Sequence, residues 1–292
     1  MGLALGVAAM VFLGPVGGMA SFGSVGGSHG SRPPASTAVA PGGSVVGDDQ
    51  ESGDTSSVGD PRVPGSGLLG SITPESRSTA GPRVPADLPA CRFASKPAIQ
   101  RPAGDWTLSI LDTEVRLPAG YVPPDMVPVS RAGLSGGGEV RDVIMPDLTA
   151  LVAAADAAGF PLMEVSAYRS ETKQEAVFDG WVESSGESVA RKSSARPGHS
   201  EHQLGLAVDF AAAHGSAPWN QAFGDTGHGH WLAAHAAEFG FVMSYPSDAE
   251  AVTCYAYEPW HFRWVGREVA QQVVASGLPL RAWLWSTRDA AG

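Results

Sequence analysis

The apolar positions of the chain repeat with helical spacing in four segments. In residues 146–159, Leu148, Leu151, Val152 and Ala155 fall on one face, with proline at the start and glycine at the end. This arrangement is typical of a helix. Similar patterns predict helices over residues 171–182, 230–240 and 267–277.

Shorter apolar runs between these helices predict strands. Residues 161–170 indicate a strand that runs into a turn, and residues 106–118, 241–246 and 253–266 also have strand composition. Helices and short strands alternate, and the hairpin-like spacing near the end favours antiparallel pairing. We therefore predict an α+β domain, with a small mostly antiparallel sheet and flanking helices, rather than a doubly wound fold.

One short apolar run ends on a charged residue. In "SEHQLGLAVDF", residues 200–210, a polar group is followed by Gly205, by Leu206-Ala207-Val208 and then by Asp209. The run predicts a buried strand. Because burying an ionised carboxylate is costly unless it is paired or binds a metal, Asp209 is expected to have a partner. His202 lies seven residues upstream.

A second polar group occurs in "YEPWHFR", where Glu258 and His261 flank Pro259 and Trp260. Two histidines and one carboxylate are a common ligand set of catalytic zinc, which leaves a fourth position for water. Because two acids are available, one can bind the metal while the other remains free as a base. On a regular strand Glu258 and His261 would point to opposite faces. Pro259 therefore predicts an edge or a bulge that redirects one of them.

Composition divides the chain into a folded part and a linker. The sequence has 37 Gly and 23 Pro, concentrated with Ser, Thr and Ala before residue 90. Such a segment buries too little apolar surface to offset its ordering entropy. We predict a disordered linker over residues 14–87, one domain over residues 88–284 and a tail over residues 285–292.

The first 13 residues form an apolar leader. Residues 3–13 are too few to span a bilayer, but they match the apolar region of a secretory signal. The basic residues that normally precede this region are missing, so a surface-seeking tail is the alternative. We expect an extracytoplasmic protein, secreted or tethered to the membrane or wall through its N-terminus. The net charge of −11 argues against nucleic acid as a partner.

Two motifs carry a family resemblance. "SEHQLGLAVD" matches the pattern Ser-x-His-x-x-Gly-x-Ala-x-Asp, and "EPWH" matches Glu-x-Trp-His. With "SAYRS" and Gln174, the chain resembles the VanY-type D-alanyl-D-alanine carboxypeptidases over residues 116–268. These are M15 metallopeptidases, whose fold is shared by lysostaphin-type enzymes, D-Ala-D-Ala peptidases and Hedgehog signalling domains.

The resemblance implies a site and a reaction. It implies zinc ligands at His202, Asp209 and His261, a general base at Glu258, and substrate contacts at Arg169, Gln174 and Ser200. The implied function is zinc-dependent removal of terminal D-Ala from peptidoglycan stem peptides, by a monomer.

Two other functions stay open. An endopeptidase on the same fold would need no clamp for a terminal carboxylate, and Arg169 argues against it. A zinc-stabilised binding or signalling module would need no base, and Glu258 argues against that. His199 precedes the first motif but does not match a family position. His228 and His230 resemble a pair of metal ligands on spacing alone, but they lie in a Gly-rich loop before a helix.

The chain contains two cysteines, Cys91 and Cys254. An even count in an exported chain favours a disulfide, whereas a cytosolic protein would more often bury two separate thiols. We predict the disulfide, which would hold the start of the domain against the segment that carries Glu258.

Overall fold

A computed structural model of the protein describes residues 83–98, 106–214 and 218–289. The predicted leader, the predicted linker before residue 83 and the last three residues of the tail lie outside the described residues. The end of that linker contacts the domain, because Asp87 accepts a hydrogen bond of 2.6 Å from Arg288. The last helix, Leu280–Ser286, continues two residues beyond the predicted domain end at residue 284.

The strands of the described residues form one four-stranded sheet and two strand pairs. They are β1 (Lys96–Pro97), β2 (Val115–Arg116), β3 (Met126–Pro128), β4 (Glu139–Arg141), β5 (Leu162–Ser166), β6 (Ala207–Ala212), β7 (Phe241–Met243) and β8 (His261–Trp264). The main sheet has the order β5-β6-β8-β7 and is antiparallel throughout. β3 and β4 also pair antiparallel, whereas β1 and β2 are parallel.

Helices flank the main sheet, and the four predicted helices are confirmed. The α-helices are α1 (Met145–Ala157), α2 (Glu171–Ser185), α3 (Glu187–Ser193), α4 (Gly227–His235), α5 (Glu250–Thr253), α6 (Arg267–Ser276) and α7 (Leu280–Ser286). The 3₁₀ turns are Val129–Ala132, Asp142–Ile144, Glu201–Leu204, Gln221–Asp225 and Ala236–Phe239. In the described part of the chain, no helix has both the length and the hydropathy to cross a membrane. The α+β prediction is confirmed.

The hydrophobic core lies against one face of β6. Val208 and Phe210 are fully buried and belong to one cluster with Leu148 and Leu151 of α1. Each such side chain contributes about 1.5–3 kcal/mol when it is fully buried. Since successive strand residues point to opposite faces, Asp209 points away from this core. The strand therefore buries its apolar face and presents its carboxylate on the other.

Three strand predictions are corrected by the structure. β6 does not stop at Asp209 but continues to Ala212. Residues 253–266 hold the end of α5, a turn and then β8, so Glu258 precedes the strand and the predicted bulge at Pro259 is wrong. Proline has no backbone N–H for a strand hydrogen bond, which explains the late start of β8. Of residues 106–118, only β2 is a strand.

The N-terminal part of the domain is fastened to its C-terminal part. Cys91 and Cys254 form a disulfide across 163 residues, which confirms the predicted pairing. Nearby, Arg281 of α7 donates to the Asp112 carboxylate at 2.7 Å and to the carbonyl oxygen of Pro89 at 3.0 Å. The segment before β2 is thus held both covalently and by a buried ion pair.

Candidate metal centre

His202, Asp209 and His261 converge from three segments of the chain. His202 lies in the 3₁₀ turn Glu201–Leu204, which begins where the Ser200 Oγ accepts a hydrogen bond from the His202 backbone N–H at 3.3 Å. Asp209 lies within β6, and the register of β6 and β8 places it directly opposite His261. Directly opposed residues share a face of the sheet, so the two side chains meet.

The geometry of these three side chains fits a zinc ion. Asp209 Oδ1 lies 3.2 Å from His202 Nε2 and 2.9 Å from His261 Nδ1, and the three ligand atoms lie within 4.8 Å of one another. A tetrahedral zinc ion at its usual bond lengths holds its ligand atoms about 3.3 Å apart. All three residues are buried. No other group of His, Cys, Asp and Glu in the described ranges is arranged to hold a metal ion.

Each histidine is oriented by a hydrogen bond on its second ring nitrogen. His202 Nδ1 lies 2.6 Å from the carbonyl oxygen of Ala167, which leaves Nε2 for the metal. His261 Nε2 lies 3.0 Å from the Glu201 carboxylate, which leaves Nδ1 for the metal. Such outer partners fix the tautomer and ring orientation of metal-binding histidines.

The pKa values of the two histidines are shifted in opposite directions. Burial, and after it the charge of Arg169, lowers the pKa of His202 to about 4, so its ring is neutral at pH 7. Burial also lowers the pKa of His261, but hydrogen bonds to Asp209 and Glu201 outweigh burial and raise it to about 10. Because a metal ion competes with a proton for Nδ1, metal binding at His261 is coupled to proton release.

Glu258 lies in the turn immediately before β8, at the edge of the ligand set. Its backbone N–H donates to the carbonyl oxygen of Tyr245 at 3.0 Å, and its own carbonyl oxygen accepts from the His261 N–H at 3.2 Å. Burial raises the pKa of Glu258 to about 8, although the charge of His261 acts in the opposite direction. The structure thus brings a carboxyl group of raised pKa beside the three ligands, and such groups are candidate acids and bases.

Arg169 lies beside Asp209. It follows β5, and its backbone N–H donates to the His202 carbonyl oxygen at 3.3 Å. Its Nη1 donates to Ser166 Oγ at 3.2 Å and lies 4.0 Å from Asp209 Oδ2. The side chain is 22 % exposed, and its Nε has no hydrogen-bond partner among the residues described. Because the side chain is partly exposed, an incoming anion can reach it.

Gln174 and Ser200, the other two predicted substrate contacts, are both buried. Gln174 Nε2 donates to Ser194 Oγ at 3.1 Å and to the Ala195 carbonyl oxygen at 2.6 Å, and its Oε1 has no partner in the described part of the chain. Ser200 caps the turn that carries His202. Both side chains support the segment that leads to the metal site.

Sequence reasoning missed Glu201 and Tyr245. Glu201 is buried against His261, and the Tyr245 ring lies 4.9 Å from the His261 ring at a 30° tilt. One signal could have identified Glu201. His261 and Arg263 are two residues apart on one strand, so they share a face, and Arg263 needs a carboxylate partner there.

The remaining candidate histidines lie outside the site. His199 Nδ1 is 2.7 Å from the carbonyl oxygen of Asp112. His228 packs edge-on against Phe160. His230 is exposed and lies two residues further along α4, and residues two apart on a helix do not face each other.

The chain is similar in both sequence and structure to proteins named as carboxypeptidases. The model of the VanY family, described as D-alanyl-D-alanine carboxypeptidase, matches residues 138–267. A D-alanyl-D-alanine carboxypeptidase of Enterococcus faecalis (strain ATCC 700802 / V583) is 33% identical over 189 residues, which are 62% of this chain and 66% of the relative. YodJ of Bacillus subtilis (strain 168) is 36% identical over 180 residues, 60% of this chain and 66% of the relative. The chain thus spans 66% of the length of each.

Solved structures give the same result. The vancomycin-resistance D,D-pentapeptidase VanY, studied as a mutant in complex with Zn(II), is 32% identical with a TM-score of 0.53. The match covers 62% of this chain and 99% of that one. The LD-carboxypeptidase LdcB is 35% identical with a TM-score of 0.55, covering 60% of this chain and 84% of that one. The chain belongs to the VanY family of M15 peptidases.

Proposed function

We propose that the protein is a zinc-dependent D,D-carboxypeptidase that removes the terminal D-Ala from peptidoglycan stem peptides. The observation that carries this proposal is the position of Arg169, whose guanidinium lies 4.0 Å from the Asp209 carboxylate. A fixed cation beside the ligand set is suited to a substrate that ends in a free carboxylate. A planar guanidinium can bind both carboxylate oxygens at once.

The residues have the following roles in the proposed reaction. His202, Asp209 and His261 hold the zinc ion, which when bound supplies Lewis-acid catalysis and acidifies water. Glu258 accepts a proton from the attacking water and delivers it to the departing amine of D-Ala. The electrostatic influence of His261, Asp209 and Arg169 on Glu258 is consistent with a carboxyl group beside the ligand set, as this role requires.

Substrate binding is assigned to Arg169, supported by Gln174 and Ser200. The guanidinium binds the terminal carboxylate of the peptide and so places the last peptide bond over the ligand set. Ser200 holds the turn that carries His202, and Gln174 holds the segment before that turn. Fixed geometry of this kind lowers the entropic cost of reaching the transition state.

The proposed site of action is outside the cytoplasm, where peptidoglycan is exposed. The disulfide between Cys91 and Cys254 supports this location, because such bonds persist mainly in oxidising compartments. Secretion or an N-terminal tether and a monomeric state complete the proposal.

L,D-carboxypeptidase activity is a second candidate. LdcB, which is named an LD-carboxypeptidase, is 35% identical to this chain, and VanY, which is named a D,D-pentapeptidase, is 32% identical. Both reactions release a terminal D-Ala, so Arg169 can bind the terminal carboxylate of the substrate in either reaction. They differ in the configuration of the residue before the cut bond.

Mass spectrometry of peptide products tests these functions. The purified protein is incubated with a stem pentapeptide ending in D-Ala-D-Ala and with the tetrapeptide ending in one D-Ala, with and without a zinc chelator. We expect chelator-sensitive loss of one D-Ala from the pentapeptide. Cleavage of the tetrapeptide instead would establish L,D specificity, and cleavage only of cross-linked peptides would establish an endopeptidase. A zinc-loaded protein that cleaves none of them would support a binding module.

A further inference from the structure

The Glu201 carboxylate occupies a buried position between a metal ligand and an arginine. One oxygen, Oε2, lies 3.0 Å from His261 Nε2 and accepts a hydrogen bond of 2.6 Å from Ser244 Oγ. The other, Oε1, accepts a hydrogen bond of 2.8 Å from Arg263 Nη1. Glu201 is 5 % exposed. Because three donors contact its carboxylate, the group is held in one place.

Arg263 fixes this carboxylate to the N-terminal part of the domain. Its side chain is completely buried, and its Nη2 donates to the carbonyl oxygens of Thr107 at 2.8 Å and Ser109 at 2.7 Å. A buried ion pair persists only when further hydrogen bonds compensate for the lost hydration. Glu201 is therefore anchored on one side by a rigid group and contacts His261 on the other.

The fold places Glu201 against both His261 and Arg263. His261 and Arg263 are two residues apart on β8 and project from the same face. Glu201 lies in the 3₁₀ turn that also carries His202. A single turn thus supplies one ligand, His202, and the partner of the other histidine.

The position of Glu201 excludes it as a ligand or as the base. It contacts Nε2 of His261, whereas Asp209 contacts Nδ1 of the same ring. The two nitrogens point away from each other, so the Glu201 oxygens lie on the far side of the imidazole from the metal position. Glu201 contacts the ligand set through His261.

We propose that Glu201 is a positioning residue that fixes the orientation and tautomer of His261 and thereby sets the zinc affinity of the site. Accepting the Nε2–H of His261 keeps the Nδ1 lone pair directed at the metal, and the negative charge strengthens Nδ1 as a donor. This inference rests on the zinc site of the proposed function. It is independent of which peptide is cut.

Zinc affinity measured by competition with a chelator tests the proposal without any peptide. Glu201→Gln keeps the size of the side chain and removes its charge, and we expect a loss of about 10- to 100-fold in zinc affinity. Glu114→Gln is the matched control, because Glu114 is equally buried and paired with Lys96 at 2.8 Å outside the site. The control should bind zinc as the wild type does.

A second measurement avoids dependence on the folding of Glu201→Gln. In the zinc-loaded wild-type protein, nitrogen-15 NMR of labelled histidines should show His261 protonated at Nε2 and metal-bound at Nδ1. A proton at Nδ1 would overturn the proposal, as would unchanged zinc affinity in a folded Glu201→Gln variant. Peptide turnover by the wild type is measured separately, so failure of the proposed reaction is distinguishable from failure of this role.

Discussion

Asp209 remains ionised in the protein interior because cationic and hydrogen-bonding groups surround its carboxylate. The nitrogens of His202 and His261 lie within 3.2 Å, and Arg169 lies at 4.0 Å. Burial raises the pKa of Asp209, but the two histidines outweigh burial and hold it well below its usual range. The apolar run of β6 can therefore carry a charge at its centre, and that charge is available to bind a cation.

Glu258→Gln should separate metal binding from chemistry. Because Glu258 is outside the ligand triad, the variant is expected to keep its zinc. It loses the proton acceptor, so peptide turnover should fall by about 10²–10⁴-fold. The measurement pairs the cleavage rate with zinc content by elemental analysis. Glu175→Gln, on the exposed face of α2, is the control. A Glu258→Gln variant that cleaves as fast as the wild type would disprove the assignment of the base.

Arg169 should discriminate between an acid and an amide at the end of the peptide. Amidating the C-terminus removes the charge that the guanidinium binds, so kcat/KM of the wild type should fall by about 10- to 100-fold. Arg169→Ala should cleave both peptides at similar low rates. Arg169→Lys retains the charge without the planar fork and should recover only part of the preference. Equal cleavage of acid and amide by the wild type would favour an endopeptidase instead.

At the scale of elements, the disulfide connects the start of the domain to the turn that carries Glu258. Replacing both Cys91 and Cys254 by serine should lower the free energy of unfolding by on the order of 4 kcal/mol, because the bond closes a loop of 163 residues. Urea unfolding of the variant and of the wild type, oxidised and reduced, measures the difference. We expect zinc content to be retained, since no ligand is changed. An unchanged urea midpoint would show that the bond adds no stability.

The elements that the sequence predicted well are those specified locally. The pattern of α1 lies within 13 residues, and the metal motif extends only from Ser200 to Asp209, so neither needs knowledge of distant contacts. The start of β8 and the bond from Glu201 to His261 could not be predicted in this way. The first depends on which backbone groups find partners across the sheet. The second joins residues 60 apart in sequence.

At the scale of the whole molecule, the features on which the proposed function depends all lie within the described residues. Two hydrophobic clusters, the candidate zinc site and the disulfide are all built from residues between 83 and 289. The Gly- and Pro-rich composition before residue 83 predicts no packed core there. The stability of the domain should therefore be independent of that segment, while its N-terminal residues from 83 onward should matter.

Two truncated chains test this division. A chain of residues 83–292 keeps Cys91 and the Pro89 carbonyl that binds Arg281, so it should match the full chain in unfolding free energy, zinc content and turnover. A chain of residues 106–292 loses both, together with the pairing of β1 and β2, and should be less stable by at least about 4 kcal/mol. Urea unfolding and zinc analysis of the three chains provide the comparison. If the chain of residues 83–292 were markedly less stable than the full chain, the first 82 residues would contribute to the fold, and the predicted linker would be wrong.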